Sequence, residues 1–544
     1  MEEENKEKED KLIFSNSPSM PEDKAPSKKN LYLLVIFVIF LSLVLFIIEL
    51  IVILTEKEEE KDEEQEKSPQ NNNFIQGQFY ISNVPVVAKV IDEQYINPEI
   101  ISYIKIGDTK FIDISNLVYY FFNETGIVPF EIKFKKSLTS MNKMFQYCNN
   151  LIKIDLSKID SYKIESMEEI FSGCRQLKSV DFSNFESPKL LNISYMFKDC
   201  SSLSGVVLPN FKTKTIKDIS YLFANCKSLS NIYGLNNLNT ENVINMNNMF
   251  QNCSQLILID LSNFNTLKVE DMSFMFSGCE SLLELNLKNF NTSKVKNMEN
   301  MFQKCQSLIS IDISNFDTSK VIHFSNMFDG CSSLSSLDLG HFRTANAEDL
   351  YYMFNECSSL VNINVNNFNT SKVENINGMF KDCKSLTAIN ISNFDTSNVK
   401  DIGSLFSNCE SLTSLDIINF NTSNVVYFNS MFQGCYALKK INFNFNTIKA
   451  EEFEGMFANC YSLTSLNLSG FDTSNVYDMG YMFFNCTSLS YINLETFSCL
   501  RLNVFSGIFD NLPDIGSIIY NSKIFNKEIL NEISKNWDKI DINK

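Results

Sequence analysis

A repeat solenoid, with one short parallel strand and one short helix in each unit of about 26 residues and a transmembrane helix ahead of the array, is the α/β fold class predicted by three observations. Fourteen of the fifteen cysteines recur at one interval, every interval carries the same apolar spacing, and residues 31–54 form an apolar run with a single ionisable residue. With 544 residues the chain exceeds one ordinary core, and a repeat distributes that length over many small ones.

The run LYLLVIFVIFLSLVLFIIELIVIL is interrupted only by Glu49, and about 20 apolar residues suffice to cross hydrocarbon. A cleaved signal peptide fits less well, since its apolar region is typically about 7 to 15 residues and ends at a small-residue site. Lys24, Lys28 and Lys29 precede the run and EKEEEKDEEQE (56–66) follows it. That asymmetry favours a cytosolic N-terminus. The expectation is a single-pass signal anchor at a plasma membrane or cell surface: residues 1–30 a disordered cytosolic tail, 55–73 an acidic flexible stalk, and the repeats outside.

Residues 74–137 contain FYISNVPVVAKVI, YIKIG and PFEIKF, which read as strands of a β-rich N-terminal cap. Residues 138–512 hold the repeat. Its cysteines are Cys148, Cys174, Cys200, Cys226, Cys253, Cys279, Cys305, Cys331, Cys357, Cys383, Cys409, Cys435, Cys460 and Cys486, spaced by 26 with one 27 and one 25. In the unit from Ser281 to Cys305, Leu282, Leu285, Leu287 and Phe290 give an LxxLxLxxF spacing whose centre alternates like a strand. NFNTS then favours a turn. MENMFQKC places Met298, Met301, Phe302 and Cys305 at helical spacing; across the array a column of Ser, Asn and Asp suited to N-caps precedes such segments, and in eleven of fourteen units a Gly, Asn or Asp suited to a left-handed C-cap stands immediately before the cysteine. The expected helix has about six residues, too short to persist without packing, which stacking would supply. Rungs at sheet spacing, ~4.8 Å apart, would form one continuous parallel sheet. At the other end GSIIYNSKIF and NKEILNEISKNW predict a strand and a helix over Trp537, within a C-terminal cap at 513–544.

The phrases SLISIDISNFDTSKV (307–321) and SLTSLNLSGFDTSNVYDMGYMFFNC (462–486) resemble the BspA-type leucine-rich repeat surface proteins, the mycoplasma-type surface lipoprotein repeat family. The resemblance covers about residues 138–512 and implies a leucine-rich-repeat-like solenoid that attaches to host proteins, matrix or other cells. Pro209, an added residue near Tyr233, a shortened unit at Phe443–Phe445 and Leu512 in place of a further cysteine are local departures.

Composition removes most other chemistry. The formal charge of −18 and only three arginines (Arg175, Arg343, Arg501) argue against a nucleic-acid partner. His323 and His341 are the only histidines, and both substitute within repeat columns, so no enzyme site, metal site or cofactor is expected. The cysteines read as a structural ladder of buried free thiols. An acidic and amide column between the inward residues of each strand, with Asp155, Asp181, Asp260, Asp312, Asp338 and Asp416 as its acids, is the candidate binding face; its alternative reading is a wet face with side-chain ladders. The predicted function is adhesion to, or recognition of, protein or glycoprotein ligands on other surfaces by a membrane-anchored protein. A structural coat or receptor-like scaffold, with self-association, is the alternative.

Overall fold

A computed structural model describes residues 73–542 apart from 212, 527, 528 and 534. The chain begins this region in a β module: β1 (Phe74–Ile81), β2 (Val86–Lys89), β3 (Ile101–Ile106), β4 (Thr109–Phe111), β5 (Tyr119–Phe122) and β6 (Gly126–Phe134). Alternation in β1 buries Ile75, Phe79 and Ile81, and Phe79 packs against Phe130 with ring centroids 4.6 Å apart. β1 also pairs antiparallel with β7 (Leu151–Asp155), the first strand of the repeat, which pairs parallel with β8 (Ser179–Asp181). The sheet order is β4-β3-β6-β1-β7-β8, so this module covers the sheet edge of the first rung. It covers the opposite side too: the Asp92 N–H donates to the Met144 carbonyl at 2.8 Å, and the Tyr95 hydroxyl donates to that of Asn142 at 3.0 Å.

The repeat is a right-angled departure from the expected strand-and-helix unit. No α-helix occurs among the described residues; the array is a β-solenoid of strands and turns with three isolated 3-10 turns, at Glu93–Tyr95, Leu235–Asn237 and Ile529–Glu532. MENMFQKC shows why. A six-residue helix would leave nearly all its N–H and C=O groups without intrahelical partners. In the observed conformation every N–H from Met298 to Cys305 is bonded. Those of Met298, Asn300, Phe302 and Lys304 reach the carbonyls of His323, Ser325, Met327 and Asp329 on the next rung, at 2.6–3.0 Å. Those of Met301, Gln303 and Cys305 close turns onto Met298, Asn300 and Phe302, and the Glu299 N–H donates to the Asn297 side chain. This path requires positive φ at Asn300 (56°) and Lys304 (57°), and the same two columns are positive on every rung from Lys143 and Tyr147 to Gly507 and Asn511.

The sheet side is also less regular than the expected continuous ladder. Parallel pairs such as Leu337↔Ile363 and Leu415↔Ile441 belong to separate two-stranded sheets. The unbroken ladder lies instead in the column expected to cap helices, where parallel bridges run from Ser140↔Ser166 through Asn297↔His323 to Asp478↔Val504.

Stacking of identical rungs makes the core a set of files. Fifteen phenylalanines from Phe145 to Phe509 stack ring on ring, with centroids 5.4–6.2 Å apart, and Phe130 continues the file into the β module. Dispersion and burial along such a file replace the long-range packing of a globular core.

At the far end the strand Ser517–Tyr520 pairs with Tyr491–Leu494 and with Asp538–Asp541, an edge strand that the sequence did not reveal. The expected helix is a single 3-10 turn, and Trp537 is buried with its indole N–H on the Pro513 carbonyl at 2.8 Å. No helix among the described residues is long and apolar enough to cross a membrane. The expected transmembrane helix at 31–54, the tail at 1–30 and the stalk apart from Asn73 lie outside the described residues. The observed class is thus a β-solenoid of strands and turns.

Candidate functional site

The two turns of each rung place the cysteine at the end of the second turn, pointing inward. All fourteen repeat cysteines are buried and free. From Cys174 onward each thiol donates to the carbonyl of the file phenylalanine one rung earlier, as Cys305 does to Phe276 at 3.2 Å. Burial pushes the thiols up, that of Cys279 to about 12, so they stay protonated near neutral pH and serve as small apolar residues with one satisfied donor. Cys499, outside the column, is half-buried.

The acidic column ends the strand segment of each rung. Asp260, Asp312, Asp338 and Asp416 are exposed, whereas Asp155 and Asp181, which are register partners beside the β module, are half-buried. Each of the six accepts from the N–H two residues on, at 2.7–3.2 Å: Ser157, Ser183, Ser262, Ser314, Gly340 and Ile418 respectively. Asn286, Asn364, Asn390, Asn467 and Asn493 do the same on their rungs. These are Asx turns that steer the chain out of the strand. The signal for them was the acid or amide standing two residues before Ser, Gly or another N–H donor at each rung.

One carboxylate oxygen of each acid is therefore held by the turn. Hydrogen bonding to Ser262 and Ser314 holds the carboxyls of Asp260 and Asp312 below their ordinary range. Amides bridge some neighbours: Asn364 donates to Asp338 at 2.9 Å and Asn442 to Asp416 at 3.0 Å. The six acids form a file along the solenoid and do not converge on a point. From Asp260 to Asp416 the file presents acceptors rung after rung to solvent, suited to a partner bearing several donors.

The other polar columns are taken up by structure. The buried Thr266 hydroxyl accepts from the Asn291 N–H at 2.7 Å and donates to the Asn291 carbonyl at 2.9 Å, and the same pair of bonds recurs from Thr344 to Asn369. His341 uses its ring on the Ile313 carbonyl at 2.9 Å, and His323 occupies the bridge ladder. Among the described residues no group of three or more His, Cys, Asp or Glu is placed to hold a metal ion. The surface depressions are troughs between rungs, one lined by Lys296, Lys320, Ile322, Asn346, Glu348 and Lys372.

Comparison with known proteins adds the following. No curated protein sequence matches the chain. Among solved structures, the chain is similar to a leucine-rich cell surface protein of Faecalibacterium prausnitzii (17% identity, 71% of this chain and 86% of that one covered, TM-score 0.27). It is also similar to the pneumococcal vaccine antigen PcpA (14%, 72% and 77%, TM-score 0.27). A third similarity is to the functional domain of InlJ from Listeria monocytogenes, whose description includes a cysteine ladder (14%, 72% and 73%, TM-score 0.18). A family profile matches in overlapping stretches at 119–232, 206–307, 282–388, 380–497 and 439–541, which together span the whole repeat. The chain belongs to that family, described as Mycoplasma protein of unknown function, DUF285.

Proposed function

We propose that this protein works by recognition, as a cell-surface adhesin of the BspA-type kind whose solenoid flank contacts protein or glycoprotein ligands on another surface. The observation that carries this reading is the file of Asp260, Asn286, Asp312, Asp338, Asn364, Asn390 and Asp416, one acceptor on each of seven successive rungs, all exposed except the half-buried Asn364. Such a file supports many weak contacts in register, so affinity grows with the number of rungs engaged and needs no deep pocket. Catalysis finds little to use, because the His341 ring and the threonines described above are committed to backbone groups.

Binding of the purified full chain to intact cells and to immobilised matrix proteins tests the reading. Saturable binding that falls at least about tenfold in a D312N/D338N/D416N variant, which keeps the turn acceptors and removes the charges, is expected. No saturable binding to either surface overturns it. Protease shaving of cells that express the chain tests the surface location: intact repeats after shaving would exclude it.

A further inference from the structure

The turned side of the solenoid is directional. On each rung four alternate N–H groups, or three on the rung of Asn326, Phe328 and Gly330, are taken by carbonyls of the following rung. On the rung before last, Met479, Tyr481, Phe483 and Asn485 donate to Val504, Ser506, Ile508 and Asp510 at 2.7–3.0 Å. The equivalent donors on the last rung are Phe505, Gly507, Phe509 and Asn511. Among the described residues none of these four N–H groups has an acceptor. The strands Ser517–Tyr520 and Asp538–Asp541 continue the sheet side of this end, so the unpaired row belongs to the turned side, where Asn511 is exposed, Phe505 and Gly507 are half-buried and Phe509 is buried.

We infer that this row is a docking edge for the main chain of a partner protein, which lies across Phe505–Asn511 as one further rung and supplies backbone carbonyls. The row holds donors only, and positive φ at Gly507 (66°) and Asn511 (60°) gives it the form of successive N–H nests, which attract acceptors. Two copies cannot meet tail to tail, because donors would face donors. Nor does a head-to-tail copy fit, since at the other end the carbonyls of Ser140, Asn142 and Met144 are already taken by Tyr95 and Asp92. A segment of a different chain remains. Exposed aliphatic side chains on or beside this terminal rung, Val504 (42% exposed), Leu500 (83%) and Ile515 (73%), offer it apolar contacts. Main-chain bonds with flanking apolar contacts are the mode of strand addition. This edge is independent of the lateral acidic file, so either can fail alone.

Amide hydrogen exchange on the full chain at low concentration tests it, with a synthetic peptide copying residues 478–486 as probe. In the array the Asp478, Gly480, Met482 and Phe484 carbonyls of that segment accept from Phe453, Gly455, Phe457 and Asn459, so the peptide carries the required acceptors. The free chain is expected to exchange at Phe505, Gly507, Phe509 and Asn511 faster than at Met479, Tyr481, Phe483 and Asn485. Saturating peptide, but not its scrambled sequence, should slow the four by about tenfold or more. Slow exchange in the dilute free chain, protection that appears only as the chain is concentrated, or no effect of the peptide would each overturn the inference.

Discussion

The ring of Tyr352 lies where a side chain on Gly378, one rung later in the same column, would have to begin: its nearest carbon is 2.6 Å from the position of a Cβ there. Both residues have positive φ, 52° and 59°. Tyr481 and Gly507 repeat the relationship at 2.8 Å. At these two places a tyrosine in the column is answered by a glycine on the next rung, whereas Tyr195 stacks on Tyr221 at 4.5 Å. Gly378→Ala is expected to lower stability by about 1–3 kcal/mol, through backbone strain and displacement of the ring. Combining it with Tyr352→Ala should recover part of the loss; urea unfolding of the four proteins in the cycle measures the coupling, and strict additivity would refute the contact.

Thr266 serves both polar groups of Asn291 with one hydroxyl. Thr266→Val keeps the shape and removes both bonds, which should cost about 1–3 kcal/mol, whereas Thr266→Ser should cost much less. Equal effects of Val and Ser in thermal unfolding would show that the methyl group, and not the hydroxyl, matters.

Phe302 sits mid-file, fully buried between Phe276 and Phe328. Phe302→Ala should cost about 3–5 kcal/mol. Because rungs contact mainly their neighbours, we expect the loss to divide the array, so that unfolding followed by calorimetry broadens or splits into two transitions. A single transition shifted without broadening would mean that cooperativity bypasses the gap.

Asp401 is partly buried, and burial raises its carboxyl above the ordinary range; its oxygens accept from the Gly403 N–H at 2.8 Å and from Asn377 at 3.0 Å. A raised folded-state value means that its contribution is fully present below the ordinary carboxylate value and is lost as pH rises through the folded value. Asp401→Asn keeps the turn acceptor without the charge. Its melting temperature relative to the parent should therefore climb as pH rises through the acid range; a difference independent of pH would contradict the assignment.

The thiol file predicts a reactivity pattern. A thiol-exchange reagent at neutral pH should reach no more than Cys499 quickly in the native chain and all fifteen cysteines in denaturant. Rapid native reaction of several thiols would be incompatible with the packing described.

Much of this was readable in the sequence. The cysteine interval gave the rung length, Leu282, Leu285, Leu287 and Phe290 marked apolar positions that are buried, and Gly, Asn or Asp before eleven of the fourteen repeat cysteines marked a left-handed residue. The error was in what that residue terminates. Met298, Met301, Phe302 and Cys305 face inward in two successive turns as they would on a helix, so spacing alone cannot separate the two. The second left-handed column holds Lys143, Glu169, Phe274 and Ser404 beside its glycines, types with no shared preference for positive φ, and so carried no signal. It is set by inter-rung bonding that a single unit does not display. The acidic column was legible as a face, but its use in Asx turns emerged only with the backbone path.

The fixed sense of donation by the alternate N–H groups of the turned side also bears on how such a chain changes length. Each unit receives through its carbonyls what the unit before it offers, and offers the same to the unit after. Excising or duplicating a whole 26-residue segment, such as Ser281–Gln306, joins ends that already match, and the β module at the start need not change. Gene recombination can therefore lengthen or shorten the array in whole steps, while a deletion of about half a unit would put sheet residues opposite turn residues and break every file at once.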